Sequence, residues 1–287
     1  MIVMGGAMER GRLMPSCVFI FIWSTIVYDP IACWTWNPNG WLFKLGSLDF
    51  AGGGPVHIAS GSAALAYAII LGRRRDHKGQ ICSKVPSYRP HNVSMVIIGI
   101  VFLWFGWFGF NGGSALNMSL RSVYAANNTN LAAACGLLSW VLMDFAFLGK
   151  WSAVGAASGA LAGLVAITPA CGFIPVYFAL PVGVVAGVLC NLATKLKYIF
   201  NIDDGLDVFA LHGVGGYAGN VMTGLFAASY VAALDGVSVI PGGWIEHNWV
   251  QLGYQLAGAT AYVSIKNKLT TGSWRIHLPS HLLSFSL

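Results

Sequence analysis

Residues 94–117 read SMVIIGIVFLWFGWFGFNGGSALN and hold no charged side chain. At a rise of about 1.5 Å per residue, such a run crosses a hydrocarbon core of ~30 Å as a helix. Further apolar runs lie at 14–35, 50–72, 131–149, 152–169, 173–195 and 206–230, and an eighth begins near Val250 and fails at Lys266. Composition agrees: 56% of the residues are hydrophobic and 9% are charged, against roughly 25% charged in a soluble domain. The mean hydropathy is +0.66. So few charges cannot coat a soluble fold of 287 residues. The runs are about twice the ~10 residues of a membrane β-strand, so helices satisfy the backbone in lipid. The expected fold is an all-α membrane protein with about seven complete transmembrane helices plus a partial eighth.

Charge sets the orientation. With the first span running from inside to outside, every Lys and Arg except Lys44 and Arg121 falls on the inner side, as the positive-inside rule requires. The net charge of +6 is thereby explained without nucleic acid. Asn127-Asn128-Thr129 falls on the outer side and reads as a glycosylation acceptor. The six cysteines have no metal-like spacing and most lie in or at the ends of apolar runs, where cysteine acts as a small hydrophobe. Neither disulfides, nor a metal, nor a cofactor is expected. The start, with Glu9-Arg10-Gly11-Arg12 after a short apolar stub, is not that of a cleaved signal.

Of seven histidines only His57 and His212 lie within apolar spans. An ionisable group at that depth is costly and faces a cavity or a partner. No carboxylate lies within one helical turn of either, which leaves the two as partners for each other. Two neutral imidazoles can share one proton, one ring donating and the other accepting. Such a pair lines a pore with polar edges and no fixed charge, which suits a small neutral solute or a proton relay.

Asp49 and Asp207 open the two histidine-bearing spans. Asp207 is expected to be a structural cap. Asp49 either caps its helix alone or also lends negative potential to a cation site at the outer face. Asp203 and Asp204 read as a loop and cap pair, and Asp144 is unexplained. Tyr28, Trp34, Trp36, Trp41 and Phe43 crowd the outer ends of the first spans, either as an interfacial belt or as a cation–π site. The rings of Trp104, Phe105, Trp107, Phe108 and Phe110 are spaced by glycines and could gate a pore or simply pack.

Several segments together resemble the ammonium transporter family (Amt/Mep/Rh), most closely its fungal members. They are Tyr28-Asp29-Pro30-Ile31-Ala32, Trp36-Asn37-Pro38-Asn39-Gly40-Trp41, Leu48-Asp49 through Gly52-Gly53-Gly54-Pro55-Val56-His57-Ile58, Gly106-Trp107 through Ser114, Thr168-Pro169-Ala170-Cys171-Gly172, and Asp204-Gly205-Leu206-Asp207 through Leu211-His212-Gly213. The resemblance runs to Ile265. It implies that His57 and His212 are twin pore histidines, that Trp36 and Ser114 recruit ammonium with Asp49 in support, and that Phe110 is one ring of a gate. Some fungal relatives carry an acidic residue at the first histidine, so the intact pair places this chain with the twin-histidine subgroup. The implied fold has eleven spans as an inverted repeat, in a trimer of this chain or with paralogues, at the plasma membrane.

The resemblance also implies departures. The chain starts where the family's third span ends, and residues 266–287 form a divergent polar tail after a transporter domain at 1–265. The expected function is therefore ammonium transport and not catalysis: NH4+ is recruited outside, loses its proton, and NH3 passes the histidines. A nitrogen sensor and a non-conducting fragment are the alternatives.

Overall fold

The computed structural model describes residues 2–8, 10–76, 78–85 and 90–271, the last seven as backbone alone. Its long elements are helices. A 3₁₀ stretch (Ile2–Ala7) leads to α1 (Leu13–Trp23), which runs through a π turn (Ser24–Tyr28) into α2 (Asp29–Trp36); α3 is Trp41–Leu45. A second π turn (Gly53–Ile58) opens α4 (Ala59–Leu71). Then come α5 (Val93–Gly113), α6 (Leu120–Leu148), α7 (Ala153–Ile167), α8 (Val176–Ala193) and the short α9 (Leu196–Ile199). A third π turn (Phe209–Val214) opens α10 (Gly215–Phe226), followed by α11 (Ser229–Ala232) and α12 (Val250–Thr271).

Among the described residues, five segments are long and apolar enough to cross a membrane: Leu13–Leu45, Gly53–Leu71, Val93–Gly113, Leu120–Leu148 and Val176–Ile199. That is fewer than the seven expected. The α7 helix is apolar but short, and the segment through His212 is diluted by glycine, Asn220 and Thr223. The backbone of α12 stays helical through Lys266 to Thr271, past the point where its apolar run ends. The rest of the expected tail, residues 272–287, lies outside the described residues. Leu13, Met14 and Phe21 on α1 and Phe102 and Phe105 on α5 face outward, an exposure that lipid solvates and water does not.

One sequence boundary moves. The fourth span was expected from 131, yet α6 starts at Leu120. Two buried polar side chains of its early turns donate to carbonyls inside the protein, so they do not break it. Asn128 Nδ2 donates to the carbonyls of Cys171 and Ile174 at 2.8 and 2.9 Å, and Thr129 Oγ1 donates to the Ala125 carbonyl at 2.7 Å. This corrects the glycosylation reading. Asn127-Asn128-Thr129 is helical, and the threonine hydroxyl of the acceptor motif is fully buried. Asp144 also finds its role here, accepting from Asn191 Nδ2 of α8 at 2.9 Å.

Helices α6, α7 and α8 form the tightest layer. A Cβ on Gly163 or Gly183 would lie 2.8 or 3.0 Å from the Ala132 carbonyl carbon, so glycine is what lets these backbones approach. The polar ends sort into two groups. Arg10 and Arg74 pair with Asp203, and Lys197 with Asp207. At the opposite ends of the helices Arg121 pairs with Asp235 and Trp36 bonds to Asp49. These are the groupings that the charge count assigned to the inner and outer faces.

Candidate functional site

The site begins with two similar entries into two helices. Pro55 has no N–H to donate and Gly52, Gly53 and Gly54 have no side chains, so the turn before α4 opens beyond the α register. The His57 N–H reaches back to the Gly52 carbonyl at 3.1 Å. Such wide turns are rare and recur at functional sites. Asp49 closes the entry: its Oδ1 accepts the Gly52 and Gly53 amides at 2.7 and 2.9 Å, and its Oδ2 accepts the Gly54 amide at 2.6 Å. The carboxylate is buried and all three donors are orphans of a helix start.

The second entry corrects an expectation. The carboxylate that caps the turn before α10 is that of Asp204, whose Oδ2 accepts the Phe209 amide at 2.9 Å. Asp207, expected as the cap, sits at φ 54° and turns its side chain to Lys197 Nζ, 2.8 Å away. Its left-handed backbone aims the carboxylate away from the helix start. Burial pushes the Asp204 carboxyl up, against the pull of the Phe209 and Val208 amides. Asp49 precedes His57 by eight residues, and Asp204 precedes His212 by the same eight. This repeated spacing was legible in the sequence.

Each histidine-bearing helix packs against the π turn of the other. The two imidazoles meet there, with His57 Nδ1 3.1 Å from His212 Nδ1. Both rings are buried, and His57 Nε2 has no hydrogen-bond partner. One Nδ1 must carry the hydrogen and the other the lone pair, which fixes opposite tautomers. The pairing predicted from the absence of nearby carboxylates is thus the observed one.

Helix α5 supplies the cover. Trp107 stacks on His57 with ring centres 5.3 Å apart and planes 17° from parallel. Phe110 stands edge-on to His57 at 6.2 Å and to Trp107 at 5.7 Å. The Ser114 hydroxyl donates to the Phe110 carbonyl at 2.7 Å. On the other side Trp36 Nε1 donates to the Asp49 carbonyl at 2.9 Å, and its ring lies over Gly52. The candidate residues therefore form two clusters around His57: Trp36 with Asp49, and Phe110 with Ser114. Among the described residues no hydrogen bond joins Ser114 to Trp36.

Beside Asp49 lies a cavity of about 450 Å³, lined in part by Trp36, Asp49, Arg121 and Phe173. Arg121 is not a free outer charge. It donates to the Gly172 carbonyl, pairs with Asp235 at 2.7 Å, and lies over the rings of Phe50 and Phe173. Burial pushes the Asp235 carboxyl up, but the Ser238 hydroxyl and amide, the Val237 amide and Arg121 outweigh it and hold the group well below the usual carboxylate range. Sequence reasoning counted Arg121 only as an exception to the charge rule.

Replacing Asp49 by Asn is expected to destabilise the fold by about 1–3 kcal/mol, since an amide –NH2 would then face a backbone N–H with no acceptor between them. A thermal-unfolding midpoint in detergent equal to that of the unaltered chain would refute this role.

Comparison with known proteins identifies the family. The model of the Ammonium Transporter Family matches residues 1–275. The chain is 56% identical to ammonium transporter MEP2 of Saccharomyces cerevisiae over 266 residues, covering 91% of this chain and 52% of that protein. It is 57% identical to ammonium transporter 1 of Schizosaccharomyces pombe over 257 residues, 89% of this chain and 50% of the relative. The crystal structure of Candida albicans Mep2 superposes with a TM-score of 0.87 at 56% identity, over 94% of this chain and 59% of that one. The chain thus spans about half the length of these protein relatives. Together with its apolar helices, these similarities make it a multi-pass membrane protein. With the family's model matching nearly its whole length, and relatives more than half identical along it, the chain belongs to the ammonium transporter family.

Proposed function

We propose that this chain conducts ammonium across the plasma membrane, with NH4+ gathered at Trp36, Ser114 and Asp49 and released on the other side as NH3 and a proton. The observation that carries the reading is the buried His57–His212 contact, 3.1 Å between Nδ1 atoms on two facing π turns. With both Nδ1 atoms committed to each other, the pair offers its Nε2 atoms to a passing solute. A neutral, hydrogen-bonding solute such as NH3 meets polar edges there without a fixed charge.

The face of Trp36 attracts a cation through its ring quadrupole. Asp49 spends its oxygens on Gly52, Gly53 and Gly54, so it acts on the cation through its negative potential and not by contact. Phe110 closes the way inward, and the proton is given up before the solute passes it. The imidazole pair then carries the proton by exchanging donor and acceptor. Potassium has no proton to lose and bears the full cost of desolvation, so it is rejected. In this reading the chain works in a trimer, of this chain alone or with paralogues.

The test is growth of a cell lacking its own ammonium transporters, with ammonium limiting as the nitrogen source. Expression of this chain at the plasma membrane is expected to restore growth without restoring uptake of potassium. Chain present at the cell surface without growth would overturn the reading.

A further inference from the structure

The arrangement around His57 raises a question of what holds its ring in place. Its Nδ1 meets His212 and its Nε2 has no partner among the described residues, and its ring packs face-on against Trp107 and edge-on against Phe110. The indole itself is held at one polar atom. Trp107 Nε1 donates to Thr168 Oγ1 at 3.0 Å, and both residues are buried.

The direction of that bond has only one solution. An indole nitrogen is a donor only. The Thr168 hydroxyl hydrogen is already given to the Leu164 carbonyl at 2.8 Å, which leaves a lone pair for Trp107. The hydroxyl is therefore fixed in orientation by its own helix and cannot swing with the indole.

The backbone of the same residue reaches the other wall of the site. The Thr168 carbonyl accepts the Ala51 amide at 3.2 Å and the Pro169 carbonyl accepts the Phe50 amide at 3.0 Å. These two strokes tie the end of α7 to the segment that leads from Asp49 into His57. Thr168 thus contacts the carrier of His57 through its backbone and the ring that covers His57 through its side chain.

We propose that Thr168 is a positioning residue for the imidazole pair: its hydroxyl sets the plane of Trp107, and Trp107 sets the plane of His57 against His212. The inference rests on the conducting role proposed above for the two histidines, and it adds a residue that touches neither of them. The alternative is that the hydroxyl merely satisfies a buried indole. Backbone and hydroxyl roles separate cleanly, because Thr168→Val keeps the shape and the backbone bonds while Thr168→Ser keeps the hydroxyl.

The experiment is performed on the full chain in lipid, in two arms. In the first, nitrogen-15 histidine spectra are recorded by solid-state NMR, with the His57 signals identified from their loss in His57→Gln. Thr168→Val is expected to shift or split the His57 Nδ1 signal, and Thr168→Ser to return it to the original position. In the second, ammonium uptake per folded protein is expected to fall roughly three- to tenfold in Thr168→Val, the weight of one buried hydrogen bond, and to recover in Thr168→Ser.

An unmoved His57 signal in Thr168→Val overturns the proposal, as does a Thr168→Ser variant as altered as the valine. The two readings fail separately. A shifted signal in a chain that takes up no ammonium upholds the positioning role while sinking the transport reading.

Discussion

Replacing either His57 or His212 by alanine is expected to lower ammonium uptake by on the order of a hundredfold or more, the usual weight of a positioned proton donor or acceptor. Replacing both is expected to cost no more than replacing one. The physical reason is that neither ring works alone: the shared hydrogen needs a donor Nδ1 and an acceptor Nδ1 at 3.1 Å. Removing one partner ends the relay, and the second removal takes away nothing further. Each single variant also leaves an imidazole Nδ1 buried without a partner, which weakens the fold by about 1–3 kcal/mol. Uptake must therefore be measured per folded protein, in vesicles of known content. Losses that multiply in the double variant would show that the rings act independently, and the relay would fall with that result.

The second large effect is expected at a residue with no side chain at all. Gly61 lies where α4 crosses the turn that holds His212. A Cβ there would press on the Gly213 amide nitrogen and lie 2.7 Å from the Gly213 Cα and 3.0 Å from the His212 carbonyl carbon. All three are backbone atoms, so no rotamer change relieves the contact. Gly61→Leu is expected to destabilise the protein by about 1–3 kcal/mol through overpacking or more. It is also expected to lift the two imidazoles apart, so that uptake falls further than stability does. Unfolding midpoints in detergent and uptake per folded protein check the two parts. An alanine or leucine variant with unchanged midpoint and unchanged uptake would mean that this crossing does not set the histidine distance.

Both effects start from features that were visible as text but not as geometry. Charge scarcity and long apolar runs announced helices in a membrane, because lipid demands internal hydrogen bonding whatever the neighbours are. Two lone histidines inside such runs were conspicuous for the same reason. Asp144 was opaque and Asn128 and Thr129 were read as part of a glycosylation acceptor, since a polar residue in a helix is explained only by the partner that a different helix brings. Trp107 read as either a gating or a packing ring among other aromatics, and Thr168 only as the first residue of a motif. Asp207 was mistaken for a cap because it is the nearer aspartate, whereas backbone conformation decides where a carboxylate points. The eight-residue spacing from Asp49 to His57 singles out Asp204 from the Asp203–Asp204 loop and cap pair that the sequence suggested.

By itself, then, the sequence determined the class of fold, the grouping of charges on two faces, and which two histidines lie within apolar spans. Those follow from local composition and from transfer energies that act residue by residue. Only the tertiary structure decided which Asp caps which turn, that His57 and His212 meet through Nδ1, and that Trp107 stacks on His57 while bonding to Thr168. Hydrogen bonds and ring contacts depend on tenths of an ångström between segments far apart in the chain. Such distances come from glycine-to-backbone crossings like that of Gly61 on Gly213, and no local pattern of residues encodes them.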